Sequence, residues 1–291
     1  FLLVVYADRY GRSKHNRHQS EESTMSRSLL RIVKTIKSSL TVVTCAISIL
    51  SSSTAFAGAW LVEKGRQHHY NALHYYETSV FTNDKGVSIS TDLYRKYGSI
   101  NLFEYGFSDS VTLGAKYGYI YASQSGNTDK GLTDPELLAR IQLWKDEKSI
   151  FSLQPTIKIP LSESTTDRPF STGKLDTEIR LLWATSVSEE RKPFINFEAA
   201  YNIRGGSSNP DEVKIDAAGG INLSTELMAV AQLFSTISAG HEAISIANRN
   251  PGDFYTQKLE FSLVRQIKKN MSIQLGIYGE TFNENSSRGS G

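Results

Sequence analysis

From Gly58 to Phe282, apolar and polar residues alternate with a period of two wherever a run is long enough to count. In Glu136-Leu137-Leu138-Ala139-Arg140-Ile141-Gln142-Leu143 the odd positions are apolar and three of the four even ones are polar. Lys174 to Leu181 and Gln257 to Leu263 repeat the pattern. A helix would bring apolar residues back at spacings of three and four, so these segments are strands. The pattern predicts eleven strands, over about 69–81, 99–107, 111–122, 135–145, 149–160, 174–187, 192–204, 211–223, 227–237, 253–267 and 271–282. Most are about 9 to 15 residues long, beyond the usual five or six of globular sheets. They suit tilted membrane-spanning strands, which need about 9 to 11 residues.

Short and long connections alternate. The short ones are Ser108-Asp109-Ser110, Asp146-Glu147-Lys148, Ser188-Glu189-Glu190-Arg191, Ser224-Thr225-Glu226 and Lys268-Lys269-Asn270. The long ones cover about 82–98, 123–134, 161–173, 205–210 and 238–252. Tight periplasmic turns and longer external loops are the asymmetry of outer-membrane barrels; a soluble sandwich or propeller has no reason to keep it. The expected fold is therefore an all-β, transmembrane, antiparallel up-and-down barrel of about twelve strands. Because such barrels close with an even number, a twelfth strand is expected to be missing beyond Gly291. Asn283 to Gly291 reads as a polar external loop, which leaves an unpaired edge between the first and last strands. Pro155 removes a ladder donor and predicts a bulge in its strand.

The first fifth of the chain has a different chemistry. Met25 opens a stretch carrying Arg27, Arg31, Lys34 and Lys37 with no acid, followed by the apolar run Leu40 to Leu50 and then Ala55-Phe56-Ala57. A basic region, a short apolar core and an A-x-A site describe a signal peptide cleaved after Ala57. The expected organisation is 1–24 as an upstream segment without structural role, 25–57 as signal peptide and 58–291 as the barrel. Cys45, the chain's one cysteine, falls in the apolar core, so no disulfide framework is available. Residues 1–57 hold eight of the 32 Lys+Arg and three of the 30 Asp+Glu, so the remainder has 24 bases against 27 acids. That balance removes any composition argument for nucleic-acid binding.

In a barrel, alternation divides side chains between two solvents. The set Leu137, Ala139, Ile141, Leu143, Leu175, Ile179, Leu181, Ile195, Phe197, Tyr201, Leu259, Phe261, Leu263, Ile273, Leu275 and Ile277 is expected to face lipid. The opposing set is ionic and is expected to line the lumen: Lys116, Glu136, Arg140, Lys158, Asp176, Glu178, Arg180, Glu198, Lys214, Asp216, Lys258, Glu260 and Glu280. A base costs about 2 to 4 kcal/mol on a lipid face near the midplane, so these groups must point inward. They admit two readings, a salt-bridged lumen that braces the wall and a lining that sets pore selectivity. Tyr75, Tyr105, Tyr117, Tyr119, Tyr121, Trp144, Trp183 and Tyr255 sit toward strand ends, as interfacial girdles do.

The run Glu104-Tyr105-Gly106-Phe107-Ser108-Asp109-Ser110-Val111-Thr112-Leu113-Gly114, with Gly131-Leu132-Thr133-Asp134-Pro135-Glu136-Leu137, resembles a family of outer-membrane barrels associated with phenol-degradation gene clusters. The resemblance covers most of the chain from Ala59-Trp60 onward. Gly106 and Asp109 suit a tight turn, and Gly114 and Gly131 suit strand-edge bends. It implies a porin-like barrel passing small organic compounds, with no catalytic residues. Long-chain hydrocarbon transporters carry an N-terminal hatch; about ten residues separate Gly58 from the first strand, and such a hatch is not expected to fit.

Small barrels also serve as lipid-modifying enzymes, which need a His beside a Ser and an orienting group. Beyond residue 57 the histidines are His68, His69, His74 and His241; His241 lies between Gly240 and Glu242 in an expected external loop. His68 and His69 are adjacent on a strand and point to opposite faces, which argues against a shared metal. Asp176 and Glu178 share a face, but Arg180 beside them makes an ion pair the simpler reading. The expected function is a passive outer-membrane channel for small solutes, with no cofactor. Its expected partners are outer-membrane lipid, the solutes and the barrel-assembly machinery. A lipid-modifying barrel enzyme and a structural or adhesive barrel are the alternatives.

Overall fold

The computed structural model describes residues 2–8, 58–83, 86–161, 170, 173–187, 192–205, 210–239 and 254–291, with the backbone alone described for 2–8. The described residues form β1 (Leu2–Asp8), β2 (Gln67–Thr82), β3 (Ser88–Ser108), β4 (Val111–Gln124), β5 (Asn127–Leu132), β6 (Glu136–Lys145), β7 (Ser149–Lys158), β8 (Asp176–Ser186), β9 (Phe194–Ile203), β10 (Asp211–Asn222), β11 (Leu227–Ala239), β12 (Tyr255–Lys268), β13 (Met271–Glu284) and β14 (Ser286–Ser287). No helix occurs among them.

Twelve strands, all but β5 and β14, form one antiparallel ring. Each of β2 to β4 and β6 to β13 pairs with its chain neighbour, and β1 joins β13 to β2. Backbone donors and acceptors are thereby paired around the circumference, which a barrel in hydrocarbon requires. The eleven strands expected from alternation are β2 to β4 and β6 to β13. Their ends agree to within two residues except at the start of β3, because a period of two is a direct imprint of the pleat.

Four features depart from the sequence reading. First, residues 1–24 were expected to have no structural role, yet β1 lies between β2 and β13, with Leu3 opposite both Leu275 and Leu73. The run Leu2-Leu3-Val4-Val5-Tyr6 is rich in strand-forming residues and offers its backbone to two open edges. The first and last strands are therefore not left unpaired. The expected signal peptide, 25–57, lies outside the described residues.

Second, the end of the chain is not simply a loop. Ser286–Ser287 pairs with Thr82 and Phe81, and Ser290 bridges Glu77 and Gly279. The slot between β2 and β13 thus holds two pieces, β1 toward the short turns and Ser286 to Gly291 toward the long loops. Backbone pairing does not depend on side-chain polarity, so Ser and Gly serve here.

Third, two expected external loops contain paired strand. β2 and β3 remain paired to Thr82↔Ser88, across a bulge between Thr78 and Val80. β5 folds back on β4 through Ser125 and Gly126, whose φ of 53° and 80° form a tight left-handed turn. Polar Ser, Thr, Asp and Asn in these stretches masked the alternation.

Fourth, Pro155 produces no bulge. Its pairing to Ile179 is in register, and the β6–β7 ladder passes from Leu138↔Thr156 to Ile141↔Leu153 in unchanged register. The irregularity falls instead between Gln142 and Trp144.

Burial is inverted relative to a soluble protein. Ile277, Phe261, Leu137 and Leu263 are 66, 55, 50 and 49% exposed, while Arg140 and Glu104 are 2% and 1% exposed. A contiguous exposed apolar belt around an ionic interior is the surface of a barrel with two solvents. Aromatic rows ring this belt. Tyr75, Tyr97 and Tyr121 are direct cross-strand neighbours, with ring centroids 4.9 and 6.3 Å apart. Nearer the short turns, Trp183 stands between Phe151 and Phe197.

Candidate functional site

The interior is built from the even-numbered residues of the strands, as alternation requires. Lys116 Nζ lies 3.0 Å from Glu136, its register partner across β4 and β6. Arg140 on β6 pairs with Glu104 of β3 at 2.9 Å. Its Nε donates to Gln154 Oε1 at 3.1 Å, and its Nη1 donates to the Trp60 carbonyl at 3.0 Å. Lys158 sits between Asp176 at 3.6 Å and Asp134 at 3.8 Å.

The densest group is on β8 to β10. Arg180 reaches Glu178 at 2.9 Å, Glu198 at 2.6 Å and Asp216 at 2.7 Å. Lys214 bridges Glu178 at 2.8 Å and Glu212 at 3.5 Å, and Arg204 meets Glu212 at 3.1 Å. Buried carboxylates and guanidinium groups persist only when paired, and here Arg180, Lys214, Glu178, Glu198 and Glu212 each meet more than one partner. Four acids face three bases, so the group carries one excess negative charge.

Ten of the thirteen ionic positions expected to line the lumen surround one cavity of about 520 Å³: Lys116, Glu136, Arg140, Lys158, Asp176, Glu178, Arg180, Glu198, Lys214 and Asp216. Tyr70, Trp60, Phe194 and Phe234 supply apolar surface to the same cavity. Lys258 and Glu260 stand apart from it and pair with each other at 3.6 Å. The Lys258 ammonium also lies over the rings of Phe234 and Tyr278, 4.2 and 4.8 Å from their centroids. Glu280 accepts from the Tyr76 hydroxyl at 3.0 Å. Sequence reasoning passed over Glu104, Asp134, Arg204 and Glu212. Their even positions were a usable signal, but Asp134 and Arg204 sit at strand ends, where alternation is weakest.

The cavity is bounded toward the short turns by residues 58–66, which run inside the barrel. Val62 N donates to Thr112 Oγ1 on β4 at 2.9 Å, and Ser152 Oγ on β7 donates to the Ala59 carbonyl at 2.7 Å. Ala59 packs on Ile150, Leu182 and Ala184, with Trp60 and Leu61 beside them. The strap crosses β3 at Gly106, where a Cβ would strike the Glu63 carbonyl. Gly65 N donates to the Gly106 carbonyl at 2.8 Å, and Gly106 N donates to Arg66 at 3.0 Å. Gly106 therefore permits this close approach rather than serving the turn at Asp109 and Ser110. A folded hatch was not expected in so short a segment; the wall itself supplies the donors, acceptors and apolar seat that hold this short segment in the lumen.

The histidines do not converge. His68 Nδ1 lies 3.3 Å from the Tyr70 hydroxyl, whereas His69 meets Phe103 edge-on at 4.8 Å on the other face. His74 is set against Gly98, and His241 lies outside the described residues. Asp176 and Glu178 are each engaged by a base, Lys158 and Arg180 respectively.

No family model matches the sequence, and no curated protein matches it. Among solved structures, the fold is similar to the crystal structure of the COG4313 outer membrane channel from Pseudomonas putida F1. The TM-score is 0.62 and the identity 13%, over 81% of this chain and 94% of that one. That likeness speaks to the fold: this chain aligns with nearly the whole length of that channel.

Proposed function

We propose that this protein is an outer-membrane channel that passes small solutes passively, small organic compounds among them. The observation that carries the reading is the combination of an exposed apolar belt with a cavity of about 520 Å³ lined by paired charges. A lipid-facing wall fixes the molecule in a bilayer, and a polar, partly aromatic interior gives solutes a path whose width the strap restricts. The likeness to an outer membrane channel supports this, as does the resemblance to barrels from phenol-degradation gene clusters, which favours aromatic compounds. On this reading residues 25–57 direct export and are removed, the barrel-assembly machinery inserts the strands, and the twelve ionic positions Lys116 to Glu260 line the route.

Liposome swelling with solutes of graded size and polarity tests the proposal. Proteoliposomes are expected to admit small solutes faster than empty vesicles, with a sharp upper size limit. Permeability no greater than that of protein-free vesicles would overturn the channel reading.

A further inference from the structure

Gly58 is buried inside the barrel, against Asn196 of β9. A Cβ built on Gly58 would lie 2.7 Å from Asn196 Oδ1, so a side chain larger than hydrogen cannot enter without displacing that amide. Asn196 is itself 9% exposed. Its Nδ2 donates to Glu198 Oε1 at 2.8 Å, while its Oδ1 has no hydrogen-bond partner among the described residues. A buried acceptor without a donor is costly, and this one lies beside Gly58. It also belongs to the network with one excess negative charge, because Glu198 is a ligand of Arg180.

We propose that the seat against Asn196 is a binding site for the α-ammonium group that cleavage after Ala57 creates on Gly58. The new cation donates to Asn196 Oδ1 and supplies the positive charge that Glu178, Glu198, Glu212 and Asp216 lack from Arg180, Arg204 and Lys214. Hydrolysis of the Ala57–Gly58 bond adds one water, leaving a carboxylate on Ala57 and an ammonium on Gly58. An amide nitrogen at this position offers one neutral donor; an ammonium offers three and a charge. Processing thereby locks the strap in the lumen. The same cut severs β1, so in the processed barrel its place between β2 and β13 must be filled by another strand; that slot is on a different part of the ring from the β7–β9 wall that holds Gly58 and Ala59. The inference rests on the exported-barrel reading but not on solute passage.

N-terminal sequencing of the protein extracted from outer membranes is expected to begin at Gly58. A start elsewhere would overturn both the processing step and the site. The rate of reductive methylation of the α-amine in the folded barrel then tests the pairing. The native protein is expected to react about tenfold more slowly than Asn196→Leu, a shift of about one decade for the loss of a charge-assisted bond. A second variant with one alanine inserted between Ala57 and Gly58 leaves the wall untouched and displaces the amine; it is expected to react as fast as Asn196→Leu. A Gly58 start with equal rates in native and inserted proteins would sink the pairing while leaving export intact. A barrel that fails to swell liposomes yet shows the slow amine would sink the channel reading alone.

Discussion

Arg140 ties the wall to the strap, and its removal gives the sharpest energetic test of the interior. Its side chain is 2% exposed and that of Glu104 is 1% exposed, 2.9 Å apart. Arg140→Ala deletes this pair, the bond to Gln154 and the bond to the Trp60 carbonyl. It leaves the Glu104 carboxylate enclosed without its cation. Breaking one side of a buried ion pair costs about 3 to 5 kcal/mol, much of it the penalty on the stranded charge. Glu104→Ala strands the guanidinium and falls in the same range, less whatever the bonds to Gln154 and Trp60 retain. Replacing both by methionine strands nothing and is expected to lie much nearer the native stability, since hydrophobic replacement of a buried pair is often neutral. The single losses are therefore strongly non-additive. Urea unfolding of the barrel in lipid vesicles, followed by tryptophan fluorescence, measures all four proteins. Single variants within about 1 kcal/mol of native, the range of a solvent-exposed pair, would refute the enclosed interior. So would a double variant whose loss equals the sum of the singles.

Further outcomes follow from the same geometry. Ile277→Arg, on the belt at 66% exposure, is expected to cost about 2 to 4 kcal/mol in lipid; no change in vesicle unfolding would mean that the belt faces water. Thr112→Val removes the acceptor for Val62 N and loosens the strap, so single-channel conductance in planar bilayers is expected to rise, and an unchanged conductance would show that the strap does not limit flow. In the full chain refolded in detergent, Leu3→Cys with Leu275→Cys is expected to form a disulfide on oxidation, because the two are register partners; absence of a mobility shift on a non-reducing gel would remove β1 from the slot. At the β6–β7 turn, Asp146 accepts from the backbone N–H groups of Ser149 and Lys148 at 2.6 and 2.8 Å, which hold its carboxyl below the usual carboxylate range. A depressed folded pKa stabilises above the ordinary value of about 3.9 and ceases to do so as pH falls through the folded value. Asp146→Asn is thus expected to flatten part of the acid limb of unfolding, and an acid limb identical to native would count against the turn's contribution.

The sequence by itself determined the wall. A strand's side chains point alternately to two solvents, so eleven strands, the lipid-facing face of residues such as Leu137 and Phe261 and the inward face of Arg140 and Arg180 were written in period two. Glu212 was legible in principle, two residues before Lys214, but a strand-end charge carries little periodic signal. The tertiary structure alone decided how the ring closes and what occupies its lumen. Leu2–Asp8 and Ser286–Gly291 share a slot because backbone pairing is indifferent to where in the chain its partners come from, and no local pattern encodes that meeting. The strap at 58–66 has too few residues for a pattern of its own; its path follows from an acceptor on Thr112 and donors on Arg140 and Ser152, residues brought together only when the sheet curls shut. Pairing in the lumen is likewise a product of closure, since Glu104 and Arg140 lie on β3 and β6, separated by β4, and become neighbours across a curved interior rather than along the chain.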